Sequence, residues 1–187
     1  MARMQRTKGG VMTQSLTLAT PRSQEDKGVD TTLEQQQFLT FLLREELFGI
    51  NIRPIKEIIE YGQLTVVPMV PEFVRGVINV RGNVVPIIDL ALRFGWPTTL
   101  VTKRSCIVIV EVESEGERIE IGVVVDAVSE VLDIPLADIE PAPSFGARLR
   151  TDFIEGMGKV NDEFIVLLNV GRVLSVDELS SLEALQE

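Results

Sequence analysis

Histidine is absent from this sequence of 187 residues, and cysteine occurs once, as Cys106. Without an imidazole there is no His general base, His metal ligand or phospho-accepting His. One thiol cannot build a disulfide framework or a thiolate zinc cage. Aromatic residues make up 5% of the chain, with a single Trp, so stacking platforms for single-stranded nucleic acid are scarce. No apolar run approaches the roughly 18 residues of a membrane helix. The first residues, MARMQRTKGG, are basic with no apolar stretch behind them, which does not read as a secretory signal. The expectation is a cytoplasmic protein without metal or cofactor and without direct membrane insertion.

What is present is uneven. Residues 1–30 carry a net charge of +2, residues 31–110 a net +1 and residues 111–187 a net −13. A chain this acidic is repelled by nucleic acid and by anionic membranes, so neither is an expected partner. The near-neutral middle third is where basic groups are free to face a protein. Residues 1–34 are rich in Thr, Ser, Gln, Gly and Lys and hold no lasting apolar period. They read as a disordered tail, with Met12 as a second candidate start.

From Gln37 onward the texture is that of short strands. QFLTFLLR and LFGINI, separated by Glu45-Glu46, predict strand, tight turn, strand. PIKEIIEYG (54–62), opened by Pro54 and closed by Gly62, predicts one or two turns of helix. FVRGVINVRGNVVPIIDL predicts a hairpin turning at Arg81-Gly82, and DLALRFG a short helix closed by Gly95. Residues 105–131 alternate on both sides of Ser114–Gly116, and GKVNDEFIVLLNV turns at Asn161-Asp162. Ser175 and Glu178 form a capping box for a C-terminal helix. Short, closely spaced strands with no long helices between them indicate small β-barrels, not a parallel α/β sheet.

An internal repeat organises these elements. Gly49-Ile-Asn-Ile aligns with Gly122-Val-Val-Val at an offset of 73, and Glu57-Ile58 falls on Glu130-Val131. At an offset of 80, Phe73-Val-Arg-Gly76 matches Phe153-Ile-Glu-Gly156, and VVPIIDL (84–90) matches FIVLLNV (164–170). Each copy alone, at about 70 residues, has a marginal core, so two similar barrels are expected to pack on each other. The copies also act as mutual controls. Arg75 matches Glu155, and the Arg81-Gly82 turn matches Asn161-Asp162. Neither arginine is therefore demanded by the repeated unit.

Enzymatic readings fail on the residues. Gly76 and Gly82 lie among β-branched residues and lack the Gly-Lys-Ser/Thr ending of a phosphate loop, so they read as a bulge and a turn. Glu57 and Glu130 recur in both copies, which favours a structural or surface role over a glycosidase pair. Asp126 follows an apolar strand but lacks the company of a phospho-accepting Asp, and reads as a turn cap. Cys106 reads as a buried small apolar group. The acidic hairpin Glu111–Glu120 reads as a solvated face with no Gly-closed calcium loop. Arg81, by contrast, is a fork of donors displayed at a turn, suited to a carboxylate or to main-chain carbonyls of a partner.

Taken together, FLLREELFGINIRPIKEIIEYGQLTVVPMVPEFVRGVINVRGNVVPIIDL, GVVVDAVSEVLDI and DFIEGMGKVNDEFIVLLNV resemble the chemotaxis coupling (CheW-like) family over about residues 36–180. Val80 and Asn169 stand where that family commonly has Leu and Asp. The resemblance implies a mainly β protein of two packed SH3-like five-stranded barrels, with short helices and a C-terminal helix. The expected layout is a tail at 1–34 and a domain at 35–182, its two subdomains near 36–100 and 101–170 with room for strand exchange. It implies a non-catalytic adaptor bridging chemoreceptor cytoplasmic tips and the regulatory domain of a chemotaxis histidine kinase, at receptor arrays on the inner face of the membrane. A scaffold of a non-flagellar signalling cluster is the alternative. Glu57, Gly76, Asn79 and Arg81 are implied to lie on or beside the coupling surface, and Arg75 and Gly82 are grouped with them.

Overall fold

The computed structural model describes residues 34–143 and 153–174. The tail expectation for residues 1–33 and the capping box at Ser175 and Glu178 lie outside the described residues. The chain is mainly β. The first copy contributes β1 (Gln35–Leu43), β2 (Glu46–Asn51), β3 (Ile55–Glu60), β4 (Val74–Val80), β5 (Asn83–Asp89) and the short helix α1 (Leu90–Arg93). The second contributes β6 (Cys106–Ser114), β7 (Glu117–Val125), β8 (Ala127–Pro135), β9 (Ile139–Glu140), β10 (Ile154–Val160), β11 (Glu163–Leu168) and α2 (Val170–Val173).

Four hairpins turn on two residues with both φ values positive: Arg44-Glu45, Arg81-Gly82, Glu115-Gly116 and Asn161-Asp162. This is the twist that matches right-handed strand pairs. Gly and Asn reach it at low cost, whereas Arg44-Glu45 has neither. That turn is held from outside, by the Asp126 carboxylate accepting from the Arg44 N–H at 2.6 Å. Asp126 does cap a turn, although one that lies 82 residues away in sequence.

The segment at 54–62 is the strand β3 instead of a helix. Ile55, Glu57 and Ile59 turn partly inward while Lys56, Ile58 and Glu60 face out, and the strand pairs antiparallel with β6. Three isoleucines suit a pleated surface better than a helix, and an available partner strand decides an ambiguous short segment. The short helix at 90–93 forms as read. Asp89 caps its first N–H groups, and Gly95 follows at φ 79°.

Sheet pairing crosses the boundary between the copies. The hairpin β1–β2 joins β8, β9, β10 and β11 in the order β8-β1-β2-β11-β10-β9. The hairpin β6–β7 joins β3, β4 and β5 in the order β3-β6-β7-β5-β4. Each sheet thus takes its opening hairpin from one copy and its remaining strands from the other. The two junctions are parallel and equivalent: Leu167 opposes Gly49, and Ile87 opposes Gly122. Both pairs follow the offsets of the sequence repeat. Both glycines let the strands approach closely there: a Cβ on Gly49 would lie 2.9 Å from Leu167 Cδ2, and one on Gly122 would strike Ile87 Cδ1, so those side chains would have to shift.

The sheets have six and five strands where five and five were implied. Among the described residues, no continuous ladder closes either into a ring. The open seam of the five-stranded sheet is bridged instead by Thr65 and Val77, which exchange backbone hydrogen bonds of 2.9 and 2.8 Å. Each sheet curls round its own small core, Val85, Ile87, Ile107, Ile109 and Val124 in one and Phe38, Ile134, Ile165 and Leu167 in the other. A larger core shared by both copies lies between them and includes Phe41, Phe48, Ile88, Val108, Val123 and Leu168.

Candidate functional site

The site residues expected from sequence fall on β3, on β4 and at the β4–β5 turn. β4 leaves Phe73, passes a register shift between Val74 and Gly76, and runs to Val80. Gly76 sits at φ 151°, and a Cβ there would collide with the carbonyl oxygen of Thr65. The bulge lets the segment after β3 cross back to β4. Gly156 occupies the matching bulge of β10, against Ile139 and Glu140. Gly76 is therefore part of the frame.

At the far end of β4, four of the expected residues meet. Asn79 Oδ1 accepts from the Gly82 N–H at 2.9 Å, which fixes the turn. Arg81 donates from a guanidinium nitrogen to Glu57 Oε2 at 3.1 Å. The arginine side chain is 77% exposed and the glutamate 26%, so the cation is held from beneath and presented to solvent. The backbone at Arg81 has φ 51°, a region where Asn is favoured and Arg is not. The second copy places Asn161 at the same φ of 51°. Arg44 and Glu115 hold the same turn position in other hairpins, so the fold accepts a side chain of either charge there.

Arg75 turns the other way. Its Nε and one terminal nitrogen donate to Asp89 Oδ2 at 3.0 and 2.9 Å, and the same head group reaches the Thr98 hydroxyl, the Thr99 carbonyl and the Tyr61 hydroxyl. Asp89 is fully buried. It also caps α1 through Ala91 and Leu92 and accepts from the Thr98 hydroxyl and from the Thr99 N–H and hydroxyl. Burial alone pushes this carboxyl up. The Thr99 N–H, Arg75 and the two threonine hydroxyls outweigh that and hold it below its ordinary value. The network pins the connection between the copies onto β5. In the second copy both members change together, to Glu155 and Asn169; Glu155 keeps an exposed side chain, and partial desolvation by its neighbours raises its carboxyl above the ordinary value. Arg75 is thus committed inside the fold, a role that reading it in isolation missed. The paired change at 75/155 and 89/169 was the available signal.

Among the described residues, no group of three or more Cys, Asp or Glu side chains is placed to hold a metal. No helix among them is long and apolar enough to cross a membrane. The arrangement offers no nucleophile–base pair. It offers a braced, exposed cation beside a rigid turn, which is the equipment of a contact surface.

Comparison with known proteins identifies the class. Residues 37–178 match the CheW-like domain. The chain is 34% identical over 148 residues to the chemotaxis protein CheW of Klebsiella aerogenes, covering 79% of this chain and 87% of that protein. It is 33% identical over 144 residues to the chemotaxis protein CheW of Helicobacter pylori, covering 77% and 84%. The protein FrzA of Myxococcus xanthus is 30% identical over 142 residues, covering 75% and 86%. The crystal structure of the scaffolding protein TtCheW from Thermoanaerobacter tengcongensis superposes with a TM-score of 0.68 at 36% identity, covering 78% of this chain and 96% of that one. The chain belongs to the CheW-like family. It is a non-catalytic scaffold, an adaptor of chemotaxis signalling.

Proposed function

We propose that this adaptor couples the cytoplasmic tips of methyl-accepting chemoreceptors to the regulatory domain of a chemotaxis histidine kinase, in the cytoplasm at the inner face of the membrane. In this reading Glu57, Asn79, Arg81 and Gly82 form the coupling surface, and Arg75 and Gly76 set the course of β4 beneath it. The observation that carries it is Arg81, an exposed arginine kept in a left-handed backbone conformation where the other copy uses Asn161. A guanidinium braced by Glu57 and aimed at solvent, at a turn where the other copy carries Asn161, is suited to a partner's carboxylate or carbonyl groups. A scaffold of a non-flagellar signalling cluster is the second reading, left open by a relative, the protein FrzA, that does not carry the CheW name. The same surface would serve there with different receptors.

Arg81→Ala tests the assignment. Stability should change by no more than about 0.5 kcal/mol, as for an ordinary surface substitution. Receptor binding or kinase activation should fall by a factor of roughly 10 or more, the loss of one charge-assisted contact. Arg81→Lys should restore part of it, because an ammonium lacks the planar fork. If melting temperature falls while binding per folded molecule is unchanged, Arg81 serves its own sheet and the proposal fails.

A further inference from the structure

The pseudo-symmetry of the two copies places one arginine side chain between equivalent rings of both. Arg93 closes α1, and its counterpart 80 residues later, closing α2, is Val173. The Arg93 guanidinium carbon lies 5.3 Å from the centre of the Phe73 ring and 5.2 Å from that of Phe153. Phe73 and Phe153 are themselves counterparts at the same offset of 80. Each does the same local job: the Phe73 carbonyl accepts from the Asp89 N–H at 2.7 Å and the Phe153 carbonyl from the Asn169 N–H at 2.8 Å. The guanidinium is therefore nearly equidistant from two equivalent rings, one from each copy. Its Nε completes the arrangement by donating to the carbonyl of Val173, its own counterpart, at 2.9 Å.

We infer that Arg93 is the clasp that fixes one copy against the other. A planar cation has two faces and a donor edge, so it can lie against two rings and still bond a carbonyl. A position on a pseudo-two-fold axis accommodates one such group. This accounts for an apolar, buried residue at Val173: a second arginine there would compete for the same slot. The exchange of hairpins between the sheets fixes which strands pair, whereas the clasp fixes the setting of α1 against α2 across the shared core.

The inference requires that Arg93 be coupled equally to its own copy and to the other. Two double-mutant cycles measure this, pairing Arg93→Met with Phe73→Leu and with Phe153→Leu in the full chain. Arg93→Met should lower the melting temperature by roughly 5–10 °C for a protein of this size. Both cycles should be non-additive in the same sense and by similar amounts, and Arg93→Lys should recover part of the loss. Coupling to Phe73 alone would mean that Arg93 only steadies its own helix, and would overturn the inference. Should a phenylalanine variant fail to fold, amide exchange on Arg93→Met carries the same decision. The Val173 and Leu174 amides of the second copy should exchange about tenfold faster or more, as expected for an element that loses part of its support. Unchanged exchange there, with faster exchange confined to residues 90–95, would overturn it.

Discussion

Arg75 and Arg81 stand six residues apart and show how neighbours of one type are given opposite work. Arg81 is held at a rim by one carboxylate and shows most of its side chain to solvent. Arg75 is partly buried against a fully buried carboxylate that receives seven hydrogen bonds from five residues. The two cases differ in what removal would leave behind. Asp89→Asn strips the charge from a buried carboxylate and leaves the guanidinium only its neutral partners on Tyr61, Thr98 and Thr99, which should cost about 1–3 kcal/mol. The Asp89 carboxyl titrates below its ordinary value in the folded protein, so its contribution is present above the unfolded value of about 4 and is lost as pH falls through the lower folded value. Thermal melts from pH 7 down to about 2 should therefore show a steep acid limb in the parent protein and a shallower one in Asp89→Asn. Equal acid limbs would mean that Asp89 titrates alike in both states.

At the scale of elements, the hairpin turns and the β4 bulge were the most legible parts of the sequence. Arg81-Gly82 and Asn161-Asp162 are local signals, since the chemistry that permits positive φ belongs to the residues in the turn. The Arg44-Glu45 turn is less typical, and its brace on Asp126 comes from a distant residue. The strand β3 was misread as helix for a related reason. Its isoleucines do not alternate cleanly, because Ile58 faces solvent at 42% exposure, and only pairing with β6 settles its state. Gly76 was read as a bulge from its setting alone, and the structure adds the reason that no other residue fits. Gly76→Ala should destabilise the protein by roughly 1–3 kcal/mol, from backbone strain at φ 151° and from the collision with the Thr65 carbonyl. Denaturant unfolding would measure this, and a neutral result would show that the Thr65–Val77 bridge is easily displaced.

For the whole molecule, the repeat predicted two related units packed on each other, and it located counterparts that hold equivalent places in the structure: Gly49 with Gly122, Asp89 with Asn169, Ile88 with Leu168. What it left open was which strands pair across the copies. A hairpin given to the opposite sheet carries no local mark, because β2 and β7 present equivalent backbone edges to β11 and β5. The inward role of Arg75 was hidden similarly, its partners lying 14, 23 and 24 residues away. The reward for exchanging hairpins is that neither half can separate without breaking a sheet, a sound basis for a scaffold. Coupling is the central claim, and co-sedimentation tests it most directly. Receptor cytoplasmic tips in vesicle-bound arrays are mixed with the kinase regulatory domain, with and without this protein, and the pellet is assayed for all three. The account predicts that the regulatory domain enters the pellet to a substantially greater extent when the adaptor is present, and that Arg81→Ala largely abolishes the gain. A regulatory domain that pellets equally well without the adaptor, or an adaptor that binds neither component, would contradict it.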